Sequence, residues 1–177
     1  MIETVRTFLR PIELSDSENI FSYRSDSQTN KYQGWIPQNI DDVNKFILKN
    51  PKEFNIPKTW FQLVVLERES KKIIGDIGIH FIDEYQSEVG CTLAKEYHGK
   101  GYATETLKGV IDYLFKDLKK HRIVTSIDPL NIDSIKLVER LGFRKEAHFK
   151  ESLLINGEWV DDIVYAILET EWKQITK

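Results

Sequence analysis

One cysteine, Cys91, is all this chain contains, which excludes an internal disulfide and any multi-cysteine metal site. No run of apolar residues approaches the roughly 18 needed to span a membrane. The opening residues Met1-Ile2-Glu3-Thr4-Val5-Arg6 lack the apolar core of a secretion signal. Nothing repeats, and no low-complexity stretch or long linker divides the sequence. Basic charge is not in excess either: the net charge is −3, which argues against binding nucleic acid through bulk charge, though a local basic patch stays open. The expectation is a cytoplasmic protein with no membrane or nucleic-acid partner, its 177 residues enough for one domain with a real core.

What is present is a clear succession of patterns. A short strand is predicted near Thr7–Ile12, and Ser15-Asp16-Ser17-Glu18 has the form of a capping box opening a helix to about Arg24. Residues Thr29–Pro37 read as irregular. A second helix, opened by Asp41, carries Val43, Phe46 and Ile47 on one face up to the Asn50-Pro51 break. Trp60–Glu67, Ile73–Asp83 and Ser87–Ala94 then read as an antiparallel meander. From Lys100 the period turns helical, and Leu107, Val110, Ile111, Leu114, Phe115 and Leu118 form one apolar stripe. A strand over His121–Asp128 and a helix over Asn131–Arg140 come next, the helix stopped by Leu141-Gly142. Two closing strands, Phe143–Ile155 and Trp159–Leu168, are joined by Asn156-Gly157, a strong hairpin signal. This order predicts an α+β fold with a mixed sheet flanked by helices.

The segment His98-Gly99-Lys100-Gly101-Tyr102-Ala103-Thr104-Glu105 is the most informative. Two glycines make a tight turn, and an apolar-periodic helix begins at once behind them. Such a turn exposes backbone N–H groups that no upstream carbonyl satisfies, and the helix dipole adds partial positive charge there. Phosphate or pyrophosphate is therefore a natural ligand. Taken alone, the turn serves equally well as a strand-to-helix connection that uses glycine for its φ freedom.

Four pieces stand in order: Glu88-Val89-Gly90, then Tyr97–Glu105, then Asn131-Ile132-Asp133-Ser134, then Leu141-Gly142-Phe143. With them the chain resembles the GNAT superfamily of acyl-CoA-dependent N-acetyltransferases, closest to its RimJ/RimL-like branch, from about Arg6 to about Trp172. That branch includes ribosomal-protein N-terminal acetyltransferases, and polyamine acetyltransferases lie nearby. The resemblance implies the GNAT acyl-CoA N-acyltransferase fold, a largely antiparallel seven-stranded sheet with about four helices, as a single domain over residues 1–177. It implies acetyl-CoA as cofactor and no metal. The acceptor it implies is a primary amine: a protein N-terminus, a polyamine or an aminoglycoside-type antibiotic. The protein is expected as a monomer or homodimer. A catalytically silent CoA-binding sensor or interaction module is the alternative from another class.

The resemblance also assigns residues. The acyl donor is expected where the strand Ser87–Ala94 splays from the strand Arg122–Asp128. Its pantetheine arm would lie on the backbone of Val89, Gly90, Cys91, Thr92 and Leu93 like an added strand. A backbone N–H near Gly90–Cys91 would polarise the thioester oxygen. The pyrophosphate is expected on amides of His98, Gly99, Lys100, Gly101, Tyr102, Ala103 and Thr104. The family signature here is Arg or Gln, two residues, Gly, one residue, then Gly or Ala; Gly101 and Ala103 match, but His98 holds the first place. Backbone amides supply most of such a cradle, so the swap should weaken contacts without abolishing binding, and His98 can itself carry partial positive charge there. Lys100, Lys136 and Arg140 are candidates for phosphate contacts and read equally well as solvated charges.

Asn131 is a good N-cap and, by the resemblance, a hydrogen-bond partner of the pantetheine arm. Ser134 is the candidate acid for the leaving thiolate. Glu88 and Glu151 are the candidate bases. The RimL-like pattern has its glutamate two residues after Glu151, where this chain has Leu153, and strand alternation puts both on one face. Asp76 and His80 share a strand face, and Asp161 and Asp162 follow Trp159. Each alone reads as a surface or network residue, but together they make the acceptor side acidic, which suits a cationic amine. Tyr32, Trp35, Phe149 and Trp159 are candidate pocket walls, with core packing the alternative. Cys91, in mid-strand, reads as a small buried hydrophobe in preference to a covalent nucleophile.

Overall fold

The computed structural model describes residues 2–155 and 157–176. Its strands are β1 (Ile2–Glu3), β2 (Thr7–Pro11), β3 (Thr59–Glu67), β4 (Ile73–Phe81), β5 (Gln86–Leu93), β6 (Arg122–Ile127), β7 (Arg144–Ile155) and β8 (Glu158–Leu168). The helices are α1 (Ser17–Arg24), α2 (Ile40–Leu48), α3 (Tyr102–Lys116), α4 (Ile132–Arg140) and α5 (Glu169–Ile175). All eight strands join one sheet in the order β1-β2-β3-β4-β5-β6-β8-β7. The seven strands and four helices expected from sequence thus gain β1 and α5. A strand of two residues and a helix of seven are too short for periodicity to register.

Alternation along β3 divides the core. Phe61, Leu63 and Val65 join the cluster that receives Leu107, Val110, Ile111, Leu114 and Phe115 of α3, together with Val138 of α4 and Trp172 of α5. Val64 and Leu66 face the other way and pack with Ile20 and Tyr23 of α1 and Val43 and Ile47 of α2. The α3 stripe ends where the helix does, at Lys116, so Leu118 lies just beyond it and packs against the same core.

Two helix starts differ from expectation. The amide of Glu13 donates to Asp16 Oδ2 (2.8 Å), and Arg10 holds both oxygens of Asp16 at 2.7 Å. This cap closes a single 3-10 turn, Leu14–Asp16, that leads into α1, two residues earlier than the Ser15–Glu18 box, and the Arg10 fork fixes the Asp16 carboxylate that makes it. At α2 the cap is Asn39, whose Oδ1 accepts from the Asp42 N–H (3.0 Å); Asp41 falls inside the first turn. In the closing hairpin Ile155 pairs with Glu158, and Gly157 has φ of 86°. Asn156, the other half of the predicted turn, lies outside the described residues.

Every neighbouring pair is antiparallel except β5 and β6, which run parallel and are connected over one face by α3. Their starts are pinned together. Lys120, buried just before β6, donates from Nζ to the carbonyls of Asp83 (3.0 Å) and Glu84 (2.9 Å), and the amides of His121 and Arg122 both donate to Tyr85 O. Leu114, fully buried on α3, tests the packing under this crossover. Leu114→Ala is expected to lower the unfolding free energy by about 2–5 kcal/mol in urea titration. A loss below about 1 kcal/mol would contradict a packed α3 interface.

Candidate active site

From their pinned starts, β5 and β6 pair only over Gln86–Glu88 with Arg122–Val124, although β5 continues to Leu93 and β6 to Ile127. Beyond Glu88 the strands part. The β4–β5 register runs unbroken from Phe81↔Ser87 to Gly75↔Leu93, and the Ala94 N–H donates to Ile74 O (2.8 Å). Strand alternation then turns the peptide groups of Glu88, Gly90 and Thr92 onto β4 and those of Val89, Cys91 and Leu93 away from it; the Val89 N–H completes the last pairing with β6, and the Val89 carbonyl and the groups of Cys91 and Leu93 face the gap. The gap is lined by Val89, Cys91, Ile127, Asn131, Ser134 and Phe143, among others.

Asn131 caps α4, its Oδ1 accepting from the Ser134 N–H (3.2 Å), which leaves its amide nitrogen to donate elsewhere. Burial, reinforced by Asp76, pushes the Cys91 thiol up to about 12, so it stays protonated at neutral pH.

At one end of the gap lies the glycine turn. Gly99 and Gly101 have φ of 70° and 83°, left-handed values that a side chain would strain. The first bond of α3 runs from the Glu105 N–H to Gly101 O (3.0 Å), so the amides of Tyr102, Ala103 and Thr104 have no partner within the helix. The turn is braced from β2 and the segment before it. Arg6 donates from Nη1 to Lys100 O (3.0 Å), from Nε to Glu105 Oε2 (2.6 Å) and from its amide to Glu105 Oε1 (2.6 Å). Thr4 Oγ1 donates to the same Oε1 (2.6 Å), and the Arg6 guanidinium lies 4.3 Å from the Tyr102 ring centre. Burial alone would raise the Glu105 pKa, but the bonds from Thr4 and Arg6 outweigh it and hold the group below the ordinary carboxylate range.

Neither Arg6 nor Glu105 stood out in the sequence, although Glu105 closes the glycine motif. The His98 ring donates from Nε2 to Leu93 O (2.9 Å) and so ties the turn back to β5. Arg140 reaches the first turn of α3 through Thr104 Oγ1 (3.2 Å), whereas Lys100 and Lys136 are exposed.

On the α1–α2 side of the sheet the gap opens into a cleft of about 530 Å³, lined in part by Trp35, Phe46, Trp60, Glu88, Leu153 and Asp162. Gly90, Cys91 and Ser126 line both spaces. Burial raises the Glu88 pKa; His80, whose Nδ1 is 3.5 Å from Glu88 Oε2, opposes the rise, and the charge of Asp162 adds to it. Trp60 stacks on His80 with ring centres 4.9 Å apart, and Trp35 stacks on Phe46 at 4.6 Å.

Several expected acceptor residues stand elsewhere. Asp76 is only 1% exposed, holding Arg24 Nε (2.8 Å), Arg24 Nη2 (2.5 Å) and the Tyr23 hydroxyl (2.6 Å), so its carboxylate is spent on the cleft floor. Glu151 adopts φ of 45° in a bulge that breaks the β7 register between Phe149 and Leu153. That bulge undoes simple alternation: Leu153 borders the cleft, and Glu151 is exposed outside it. Phe149 (51% exposed) and Trp159 (62%) also lie outside the cleft lining. Asp161 borders the cleft, but its oxygens are taken by His148 Nε2 (2.7 Å), Lys150 Nζ (2.8 Å) and the Glu151 amide (2.9 Å), which hold its pKa well below the ordinary carboxylate range. Arg24, Ser126 and Asp128 line the cleft without having been singled out, because nothing local in the sequence marks them.

The model of the acetyltransferase (GNAT) domain matches residues 6–144. The chain belongs to the GNAT acetyltransferase family. It is 34% identical over 175 residues to YnaD of Bacillus subtilis, an uncharacterized N-acetyltransferase, covering 97% of this chain and 98% of that one. It is 30% identical over 123 residues to the [ribosomal protein uS5]-alanine N-acetyltransferase of Escherichia coli, covering 68% of this chain and 63% of that one, in line with the RimJ/RimL-like motifs. The crystal structure of a GNAT-family acetyltransferase from Bacillus anthracis superposes with a TM-score of 0.87 at 32% identity, covering 96% and 99% of the two chains.

GNAT acetyltransferases draw their acetyl group from acetyl-CoA. The residues present fit that molecule: an unpaired strand edge suits its amide-bearing arm, and three unpartnered helix amides suit its pyrophosphate. A Cβ at Gly101 would stand 3.3 Å from Arg6 Nη2 on a left-handed backbone. For this GNAT chain, Gly101→Val should weaken acetyl-CoA binding at least about tenfold in calorimetry. Unchanged affinity in a folded variant would contradict the turn as the phosphate site.

Proposed function

We propose that this chain, acting as one catalytic domain, transfers acetyl directly from acetyl-CoA to a primary amine that arrives as a cation. One observation carries the reading: the gap and the acidic cleft meet at Gly90, Cys91 and Ser126, so an acyl group in one space can face an amine in the other. Acetyl-CoA supplies an activated acyl group with a thiolate as its leaving group. The main-chain groups of Val89 and Cys91 and the Asn131 amide nitrogen hold its arm. The amides of Tyr102, Ala103 and Thr104 hold the pyrophosphate, with Lys100, Lys136 and Arg140 adding charge around it.

The Cys91 N–H, aimed into the gap, stabilises negative charge developing on the carbonyl oxygen. Glu88 takes a proton from the ammonium and frees the nitrogen lone pair, a task suited to a carboxylate whose burial brings its pKa closer to neutrality. As the C–S bond breaks, Ser134, bordering the gap, gives its hydroxyl proton to the departing sulfur and takes up the second proton that the nitrogen sheds. The aromatic walls Trp35, Phe46 and Trp60 exclude water from the amine's apolar part. The charge of Arg24 is matched by Asp76, so Glu88, Asp128 and Asp162 leave the cleft acidic.

Release of free CoA thiol across a panel of amines tests the reading. If acetyl-CoA binds but no amine raises release above hydrolysis, the proposal fails. The pH dependence tests the base. Glu88 must be ionised, so kcat/KM should fall as pH drops through its raised pKa. His80 lowers that pKa, so His80→Ala should move the acidic limb to higher pH. Glu88→Gln should remove the limb and reduce kcat/KM by about 10²–10⁴-fold. A limb that survives Glu88→Gln would assign the proton to another group.

A further inference from the structure

The cleft holds a second carboxylate, distinct from the base, placed to hold a cation. Asp162 on β8 is 9% exposed, and Ser126 Oγ on β6 donates to its Oδ1 at 2.6 Å. Among the described residues the bond to Oδ1 is the one hydrogen bond this carboxylate accepts, which leaves Oδ2 available, and Asp162 borders the cleft. The contrast with the preceding residue is direct: Asp161 gives both oxygens to His148, Lys150 and the Glu151 amide, while Asp162 has one oxygen fixed and one available.

Glu88 borders the same cleft from β5, across the split, and the two carboxylates are close enough that Asp162 disfavours a charge on Glu88. The charged groups around them are accounted for. Arg24 from α1 is bound to Asp76, His80 from β4 stands 3.5 Å from Glu88, Asp128 after β6 adds negative charge, and Asp161 is paired with Lys150 and hydrogen-bonded to His148. Two anions facing one space without a resident cation of their own favour a cation supplied from outside.

We propose that Asp162 and Glu88 together grip the ammonium group of the acceptor, Asp162 as the anion that binds it and Glu88 as the group that takes its proton. The second role rests on the acetyl-transfer reading; the first does not. In the proton step one N–H bond of the ammonium breaks, the proton moves to the Glu88 carboxylate, and the nitrogen keeps the electron pair that forms the bond to the acetyl carbon. Asp162 takes no proton in this step: Ser126 Oγ holds its Oδ1, and the ammonium lies against the other oxygen. The site therefore selects alkylammonium groups over neutral molecules of the same shape, and Asp128 disfavours acceptors bearing a carboxylate close to the amine.

The test is calorimetric titration of the CoA-bound protein with 1,4-diaminobutane and, for shape alone, with 1,4-butanediol. Wild type should bind the diamine and not the diol. Asp162→Asn should weaken diamine binding at least about tenfold, and Ser126→Ala, which frees the carboxylate without removing it, by a smaller factor of about three. Glu158→Gln removes an exposed charge from the same hairpin and should change nothing. Circular dichroism checks that each variant is folded. Equal affinity in wild type and Asp162→Asn, or no diamine binding by wild type, overturns the ammonium site. Thiol release from the same samples separates the two readings. Binding lost in Asp162→Asn, with no turnover by wild type on any amine, supports the ammonium site while sinking acetyl transfer. Wild-type kcat/KM in Asp162→Asn does the reverse.

Discussion

The parting of β5 from β6 is the constraint on which the rest depends. A parallel pair in mid-sheet ordinarily keeps its ladder, because unpaired main-chain groups in the interior are costly. Here Lys120 and the Tyr85 carbonyl clamp the two strands where they begin, and pairing stops at Glu88↔Val124. Everything past that point has an edge inside the sheet. The Val89 carbonyl and the main-chain groups of Cys91 are left without a strand partner, and a passage joins the α3–α4 face to the α1–α2 face. A thioester and an amine approaching from opposite faces meet only through such an opening.

The elements around the split are held by interactions that reach across the chain. The glycine turn is fixed from the N-terminal segment, with Thr4 and Arg6 converging on Glu105 at 2.6 Å, and from β5 through His98 and Leu93. Amides that bind phosphate gain from being held in place beforehand, since no ordering remains to be done when the ligand arrives. Under the cleft the Arg24–Asp76–Tyr23 cluster has the same character. Burial works against the Arg24 charge, yet Asp76 and Tyr23 keep its pKa raised, so the floor carries a matched pair and leaves the net charge of the cleft to Glu88, Asp128 and Asp162.

Local signals carried much of this into the sequence. The α3 stripe from Leu107 to Phe115, the two glycines before it and the three-strand meander each follow from the order of neighbouring side chains. What stayed hidden depends on partners distant in the chain. Asp76 looks like any strand carboxylate until Arg24, 52 residues away, closes on it. Glu151 fits a cleft-facing alternation until a bulge, stabilised by Asp161, turns it outward. Asp162 and Asp161 are indistinguishable as adjacent aspartates; only the register against β7 and β6 decides which keeps a free oxygen. Short elements escaped for a different reason, since β1 and α5 offer too few residues for any period to appear.

Amide hydrogen exchange with and without acetyl-CoA measures the central feature most directly. The amide of Cys91, directed into the gap and away from β4, should slow markedly when the cofactor binds, together with those of Tyr102, Ala103 and Thr104 at the start of α3. The already paired amides of Gly90 and Thr92 should change far less. Exchange at Cys91 that is unaltered by saturating acetyl-CoA would contradict the split as the place where the acyl donor is held.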